Sequence, residues 1–242
     1  AMVTGASRGL GQGMALGLAE AGADIVGVSR GTCDSTAARV AELGHRFLHL
    51  PCDLAEASVA DLQELVRRAV QEMGGLDILV NAAGINLRHP PLEFPEDDWE
   101  KVMQVNMKCV MFLSQAAGRH FAKHGGGKII NVVSALSFQG GLTVSAYTAS
   151  KHAVLGITRS LANDLARLNI NVNAVAPGYM LTDMTMPLAQ DPNRAPAIMA
   201  RIPADRWGTP EDLKGAAVYL ASEASAYCHG AVIAVDGAWL TR

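Results

Sequence analysis

Seven short apolar runs, separated by longer amphipathic segments, constrain this chain more than any other feature. The runs cover 1–5, 24–30, 46–53, 76–84, 128–134, 169–178 and 231–237. Several are apolar almost throughout instead of alternating with polar residues. Strands of that kind are buried on both faces, as in a parallel sheet covered by helices. The segments between them repeat apolar residues at helical spacing: Met14, Leu18 and Ala21 within 9–22, and Leu62, Leu65, Val66 and Ala69 within 59–73. Further helices are expected over 32–43, 97–123, 147–168 and 210–222, the last with Pro210 in its first turn. This alternation predicts an α/β chain, a doubly wound parallel sheet of about seven strands with helices on both faces, forming a single domain over 1–242. Two irregular stretches, 86–96 and 179–208, follow the C-terminal ends of strands, where open α/β sheets bind ligands.

Composition narrows the functional classes. With 50 % apolar and 18 % charged residues, the 242-residue chain can bury a large core and is not a disordered tail. A net charge of -3 leaves no global field to recruit nucleic acid. Cys33, Cys52, Cys109 and Cys228 form no CxxC pair and read as free thiols of a reducing compartment. No apolar run is of membrane-spanning length and no secretory signal is evident, so a cytoplasmic location without a membrane partner is expected. The chain opens directly on a strand, from which a few preceding residues are expected to be missing.

The turn after the first strand reads TGASRGLG, with Gly5, Gly9 and Gly11 between strand and helix. Glycines there let the backbone approach a pyrophosphate seated on the helix N-terminus, a Rossmann-like dinucleotide site. Ser7 and Leu10 belong to the same turn. The second strand ends in Ser29-Arg30, where an acidic residue would favour NAD. Arg30, with Arg8 in the glycine turn, instead suits a 2′-phosphate and favours NADP, although both could be solvated surface residues.

Tyr147 and Lys151 are four apart in YTASK, hence on one helical face. A free phenol, with a pKa of ~10, exchanges its proton poorly at neutral pH, and a nearby cation lowers that value. Thr148, Ala149 and Ser150 keep the surroundings small. His120 and His124 have zinc-compatible spacing but no intervening glutamate of an HExxH motif, and PEDDWE reads as a helix start, so no metal site is expected.

TGASRGLG, NAAG (81–84), Asn106, Ser134, YTASK and Pro177-Gly178, in this order and spacing, resemble the short-chain dehydrogenase/reductase family over essentially the whole chain. The resemblance implies an oxidoreductase in which Tyr147 is the general acid/base, Lys151 the cation beside it, Ser134 the hydrogen-bond donor to the substrate oxygen and Asn106 the holder of a relay water. It further implies cofactor contacts from Asp53 and Leu54, from Asn81, Ala82 (where the family more often has asparagine) and Gly84, from Tyr147 and Lys151, and from Pro177, Gly178, Met180 and Thr182.

Finer stretches, among them LSFQGG, APGYM and RIPADRWGTPEDL, resemble members that interconvert keto and hydroxy groups of deoxy sugar acids in uronate breakdown. Such a substrate needs a carboxylate partner, for which Arg88, His89, Gln139 and Arg206 are candidates. Members of that kind are often NAD-linked, so NAD stays open beside NADP. Two rival readings are a 3-oxoacyl-carrier-protein reductase, docking an acidic carrier through Arg119, Lys123 and Arg167, and a non-catalytic nucleotide sensor or scaffold. By the same analogy a homotetramer is expected, built through helices 97–123 and 147–168 and through the C-terminal DGAWLTR.

Overall fold

The computed structural model describes residues 1–242. The strands are β1 (Met2–Thr4), β2 (Ile25–Ser29), β3 (Phe47–Pro51), β4 (Ile78–Asn81), β5 (Gly127–Val132), β6 (Ile170–Pro177) and β7 (Val232–Val235). They form one seven-stranded sheet in the order β3-β2-β1-β4-β5-β6-β7, and every pair is parallel. The helices are α1 (Gly9–Glu20), α2 (Asp34–Glu42), α3 (Val59–Met73), α4 (Glu96–Met103), α5 (Cys109–Phe121), α6 (Ser145–Leu165), α7 (Met186–Ala189), α8 (Ala195–Met199) and α9 (Lys214–Ala221).

Alternation along the strands divides the core into two layers. Leu79 and Ile129 point into a cluster with Leu62 and Leu65 of α3 and Leu113 and Phe121 of α5. Their neighbours Val80 and Ile130 point the opposite way, to Met14 and Leu18 of α1, Val40 of α2 and Leu220 of α9. Both faces are covered, which is why these strands read as continuous apolar runs. Helix α3 carries its own signals: Ser58 and Asp61 make a capping box, and Gly74 closes the helix at φ 84°. Helix α1 is held more tightly. A Cβ built on Gly13 would lie 2.6 Å from the Pro210 carbonyl oxygen, and one on Gly17 2.8 Å from Lys214 Cβ. Only a bare backbone lets α1 approach the entry to α9 this closely.

The structure modifies the sequence expectations in three places. The helix expected over 97–123 starts at Glu96 and is interrupted by a π-helical turn over Gln104–Lys108. The helix expected from 210 begins as a 3₁₀ turn, Pro210–Leu213, capped by Thr209 and Asp212. The irregular stretch 179–208 contains α7 and α8, both with proline near the start and too short to show a periodicity. No helix is long and apolar enough to cross a membrane.

Candidate active site

The C-terminal ends of β1, β4, β5 and β6 open toward one side of the sheet, and most of the singled-out residues gather there. In the glycine turn, Gly5 has φ 71° and its N–H donates to the Val28 carbonyl at 2.8 Å. A Cβ on Gly11 would overlap the Gly5 carbonyl oxygen, so the turn closes only around glycine. Helix α1 begins with no side-chain cap and no acidic residue in its first turn. Its free amides and positive dipole end therefore suit a pyrophosphate. Thr4 Oγ1 accepts from the Ala82 and Ala83 amides, both at 3.0 Å, and joins this turn to the segment after β4. Thr182 of the long loop closes over it, 3.7 Å from where a Gly9 Cβ would stand.

The arginines named for a 2′-phosphate are exposed and face acids. Arg8 pairs with Asp183 at 2.6 Å and Arg30 lies 3.7 Å from Asp53. Ser29 does not present its hydroxyl outward. The residue is buried, and its Oγ donates to Gly31 O at 2.6 Å and sits 3.1 Å from both Cys33 Sγ and His49 Nε2. It shapes the turn that carries Arg30. Asp53 Oδ1 accepts from the Ala55 amide, while the buried Leu54 gives its carbonyl to Gln104 and Cys109. The side chain of Asn81 is turned away from the strand ends. Its Nδ2 donates to Asn131 Oδ1 at 2.9 Å and to Ser114 Oγ at 3.1 Å, and Asn131 donates on to Thr158 Oγ1 at 2.9 Å. This buried chain fastens α5, β4, β5 and α6 together beneath the site.

Ser134, Tyr147, Lys151 and Asn106 stand around the end of β5. The 3₁₀ turn Ala135–Ser137 sets the spacing between strand and helix: Ser137 Oγ accepts from the Ser134 amide at 3.2 Å and donates to the Lys151 carbonyl at 2.9 Å. Nothing in the sequence pattern singled out Ser137. Lys151 is 4 % exposed, donates from Nζ to the Val132 carbonyl at 2.7 Å, and lies 5.6 Å from the centroid of the Tyr147 ring. Asn106 sits in the π-helical turn, fully buried. Its carboxamide meets both main-chain groups of Ile85, at 2.8 and 2.9 Å, and donates to Ser150 Oγ at 3.1 Å. Those bonds occupy the side chain, so Asn106 ties the segment after β4 to α6. Gly84 fits between: a Cβ there would meet Asn106 Oδ1 at 3.5 Å and Lys151 Nζ at 3.7 Å.

Electrostatics adds one member. Burial raises the pKa of the Tyr147 phenol, and the neighbouring Ser134 hydroxyl and Arg88 guanidinium pull it back down. Burial alone lowers the Lys151 pKa to about 8. Arg88 is thus a further cation facing the phenol that the spacing did not reveal, beside Lys151 at 5.6 Å from the ring. Arg88, exposed in the loop after β4, is itself lowered, first by partial desolvation and then by Arg194.

The other substrate candidates separate. Arg206 makes two bonds to Asp212, at 2.7 and 2.8 Å, holding that carboxylate down at about 2; its charge is spent at the exit of the long loop. His89 is fixed against Asp98 at 2.6 Å and stacks edge-on with Phe94. Gln139 accepts from Arg201 at 3.1 Å. Pro177 ends β6, and the Cβ of a side chain at Gly178 would run into Asp236. Met180 is buried with its sulfur against Gly208. Two buried polar atoms next to the cleft residues, Asn86 Oδ1 and Thr148 Oγ1, have no protein partner. The uncapped helix end, the glycine turn and these free polar atoms fit a dinucleotide carrying a nicotinamide.

A family profile described as Enoyl-(Acyl carrier protein) reductase matches residues 5–239. A 2-dehydro-3-deoxy-D-gluconate 5-dehydrogenase of Dickeya dadantii is 55 % identical over 243 residues, covering 100 % of this chain and 95 % of the relative. A crystal structure from Agrobacterium tumefaciens, named for 2-deoxy-D-gluconate 3-dehydrogenase and containing NADP, is 47 % identical, superposes with a TM-score of 0.91, and is matched over 100 % of this chain and 96 % of its own. A gluconate 5-dehydrogenase from Burkholderia cenocepacia, in complex with NADP and tartrate, is 38 % identical with a TM-score of 0.93 over 100 % of this chain and 94 % of its own. The seven-stranded parallel sheet is the one the sequence predicts, and with these matches over the whole chain the protein belongs to the short-chain dehydrogenase/reductase family of oxidoreductases.

Proposed function

We propose that this protein interconverts a keto and a hydroxy group on a deoxy sugar acid of the 2-dehydro-3-deoxy-D-gluconate type, with NADP as the preferred nicotinamide cofactor and NAD as the weaker one. The observation that carries the reading is the meeting of Ser134, Tyr147, Lys151 and Arg88 at the end of β5, beside an anion-ready helix end, in a chain 55 % identical to an enzyme named for that substrate. The bound nicotinamide supplies or accepts the hydride.

In the reducing direction Ser134 Oγ donates a hydrogen bond to the ketone oxygen, and Tyr147 gives that oxygen its phenolic proton. Arg88 stabilises the phenolate left behind, and Lys151 stands on the same side to return the proton from solvent. Gly5, Ser7, Gly9, Leu10 and Gly11 cradle the pyrophosphate. Asp53, Leu54, Ala82, Gly84, Pro177, Gly178, Met180 and Thr182 line the rest of the groove, with Asn81 acting from behind. Arg8 and Arg30 exchange their acid partners for a 2′-phosphate. The assembly is a cytoplasmic homotetramer, which a sizing column tests.

The first test follows nicotinamide absorbance with 2,5-diketo-3-deoxygluconate and, in parallel, acetoacetyl thioester. Turnover of the sugar acid supports the reading; turnover of the thioester alone moves the protein to acyl-carrier chemistry, the activity in the matched profile's description. Arg30→Gln is expected to raise KM for NADPH by ~10- to 100-fold, the worth of a charge-assisted phosphate contact, and to leave KM for NADH within about twofold. Equal changes for both cofactors would remove Arg30 from phosphate recognition.

The Lys151 environment gives a pH prediction. Its ammonium is charged below about 8 and neutral above. Because kcat/KM reports the free enzyme, reduction is expected to decline through one ionisation near that pH. Lys151→Arg should push the decline upward out of the accessible range. An alkaline limb unchanged in the arginine variant would assign it to another group.

A further inference from the structure

Arg88, Arg194 and Arg201 near the site have no acid to neutralise them, and of these Arg201 is the one held by a ring and a hydrogen bond. Arg201, between the end of α8 and the loop exit, lies within 4.0 Å of no carboxylate, whereas Arg8, Arg30 and Arg206 all do. Its guanidinium is nonetheless held in place. It stacks 3.9 Å above the centroid of Trp239 and donates one bond, at 3.1 Å, to Gln139 Oε1. A guanidinium has five N–H donors, so most of them stay free in a fixed plane.

The support under it is firm. Asp236 accepts from the Ala238 and Leu240 amides and fixes the turn that carries Trp239, which is 4 % exposed. Trp239 packs in one apolar cluster with Ala135, the residue next to Ser134. Its own Nε1–H is buried and has no partner. Arg242 donates to the carbonyls of Ala200 and Arg201, at 2.8 and 3.3 Å, and brings a second positive charge to the same edge. The cation therefore stands on Trp239 and Gln139, neighbours of the segment that carries the serine expected to hold the ketone oxygen.

We propose that Arg201, stacked on Trp239 and held by Gln139, receives the carboxylate of the acid substrate while its ketone lies at Ser134 and Tyr147. This rests on the sugar-acid reading above and assigns the end of the molecule that the reading left without a partner. The keto carbon and the carboxylate of such an acid are separated by several bonds, so one cation cannot serve both: Arg88 acts at the phenol, and Arg201 holds the distant anion. A planar guanidinium with a fixed orientation matches a carboxylate better than a mobile lysine.

The test compares wild type, Arg201→Met, Arg201→Lys and Gln139→Leu, using NADPH and two ketones, 2,5-diketo-3-deoxygluconate and its uncharged C1 amide. Arg201→Met is expected to raise KM for the acid by ~10- to 100-fold, as loss of a charge-assisted pair does. Its kcat, its KM for the amide and its KM for NADPH should stay within about threefold of wild type, on the uniform-binding criterion. Arg201→Lys and Gln139→Leu should fall between, and they carry the test if the methionine variant does not fold. A similar rise for acid and amide would make Arg201 a loop brace and overturn the proposal, as would no rise for either. Wild type that reduces the acid while Arg201→Met matches it overturns this inference alone. Wild type that reduces neither ketone overturns the sugar-acid reading and this inference together.

Discussion

Tyr147→Phe is expected to lower kcat for the sugar acid by ~10²- to 10⁴-fold, the usual contribution of a positioned proton donor. KM for NADPH should stay close to wild type. The ring remains, so the packing around it and the cation at 5.6 Å are kept; only the oxygen that exchanges a proton is removed. Ser134 keeps its bond to the Leu136 amide, and Arg88 loses the phenol it faces. The measurement is a single-turnover rate with cofactor affinity determined separately by titration. A Phe variant that turns over at the wild-type rate would take the general-acid role away from Tyr147, and with it the account of why Arg88 is there. A variant that binds NADPH poorly would mean that the phenol serves the cofactor first.

The largest stability effect should come from α1. Gly13→Val places its Cβ 2.6 Å from the Pro210 carbonyl and 2.7 Å from Pro210 Cβ. Neither neighbour can turn aside as a flexible side chain would, because Pro210 is pinned in the capped turn ahead of α9. The expected loss is ~3 kcal/mol, at the upper end of overpacking costs. In a domain of this size that corresponds to a melting temperature lower by about 6–12 °C. Gly215→Ala in α9 is the control: nothing lies within 4 Å of the added carbon, so a gain of ~0.5–1 kcal/mol is expected from the helix preference alone. Two thermal melts decide it. If both variants melted like wild type, the close approach of α1 to α9 would be wrong.

What could be read from the residues, and what could not, follows the range of the forces involved. Strand burial is written locally: Leu79-Val80 and Ile129-Ile130 are apolar in succession because one residue faces each layer, and the parallel sheet follows. The Tyr147–Lys151 pairing was equally legible, since four residues is one helical turn. The π-helical turn was not, because one extra residue rotates the apolar stripe without erasing it. Asn81 was placed correctly along the strand but its side chain faces the core, toward Asn131, a partner 50 positions away. The arginines show the limit most clearly. Arg206 and Arg201 look alike in sequence. Only the fold reveals that Asp212 neutralises the first, and that Trp239 and Gln139 support the second without discharging it. Ser137 was missed for the same reason: its two bonds, to the Ser134 amide and the Lys151 carbonyl, join segments that no short-range pattern connects.

The strand order has a consequence for how the chain is made. Reading β3-β2-β1-β4-β5-β6-β7 by time of synthesis, β1 emerges first, β2 and β3 add outward on one side, and β4 through β7 add outward on the other. Each new strand joins an edge that already exists, and none has to be inserted between two strands already paired. A ribosome releases roughly 5–20 residues per second, far slower than loop closure, so the sheet can lengthen one strand at a time behind it. The open edge moves with the nascent chain, and the last edge to be formed, β7, leads directly into the turn that carries Trp239.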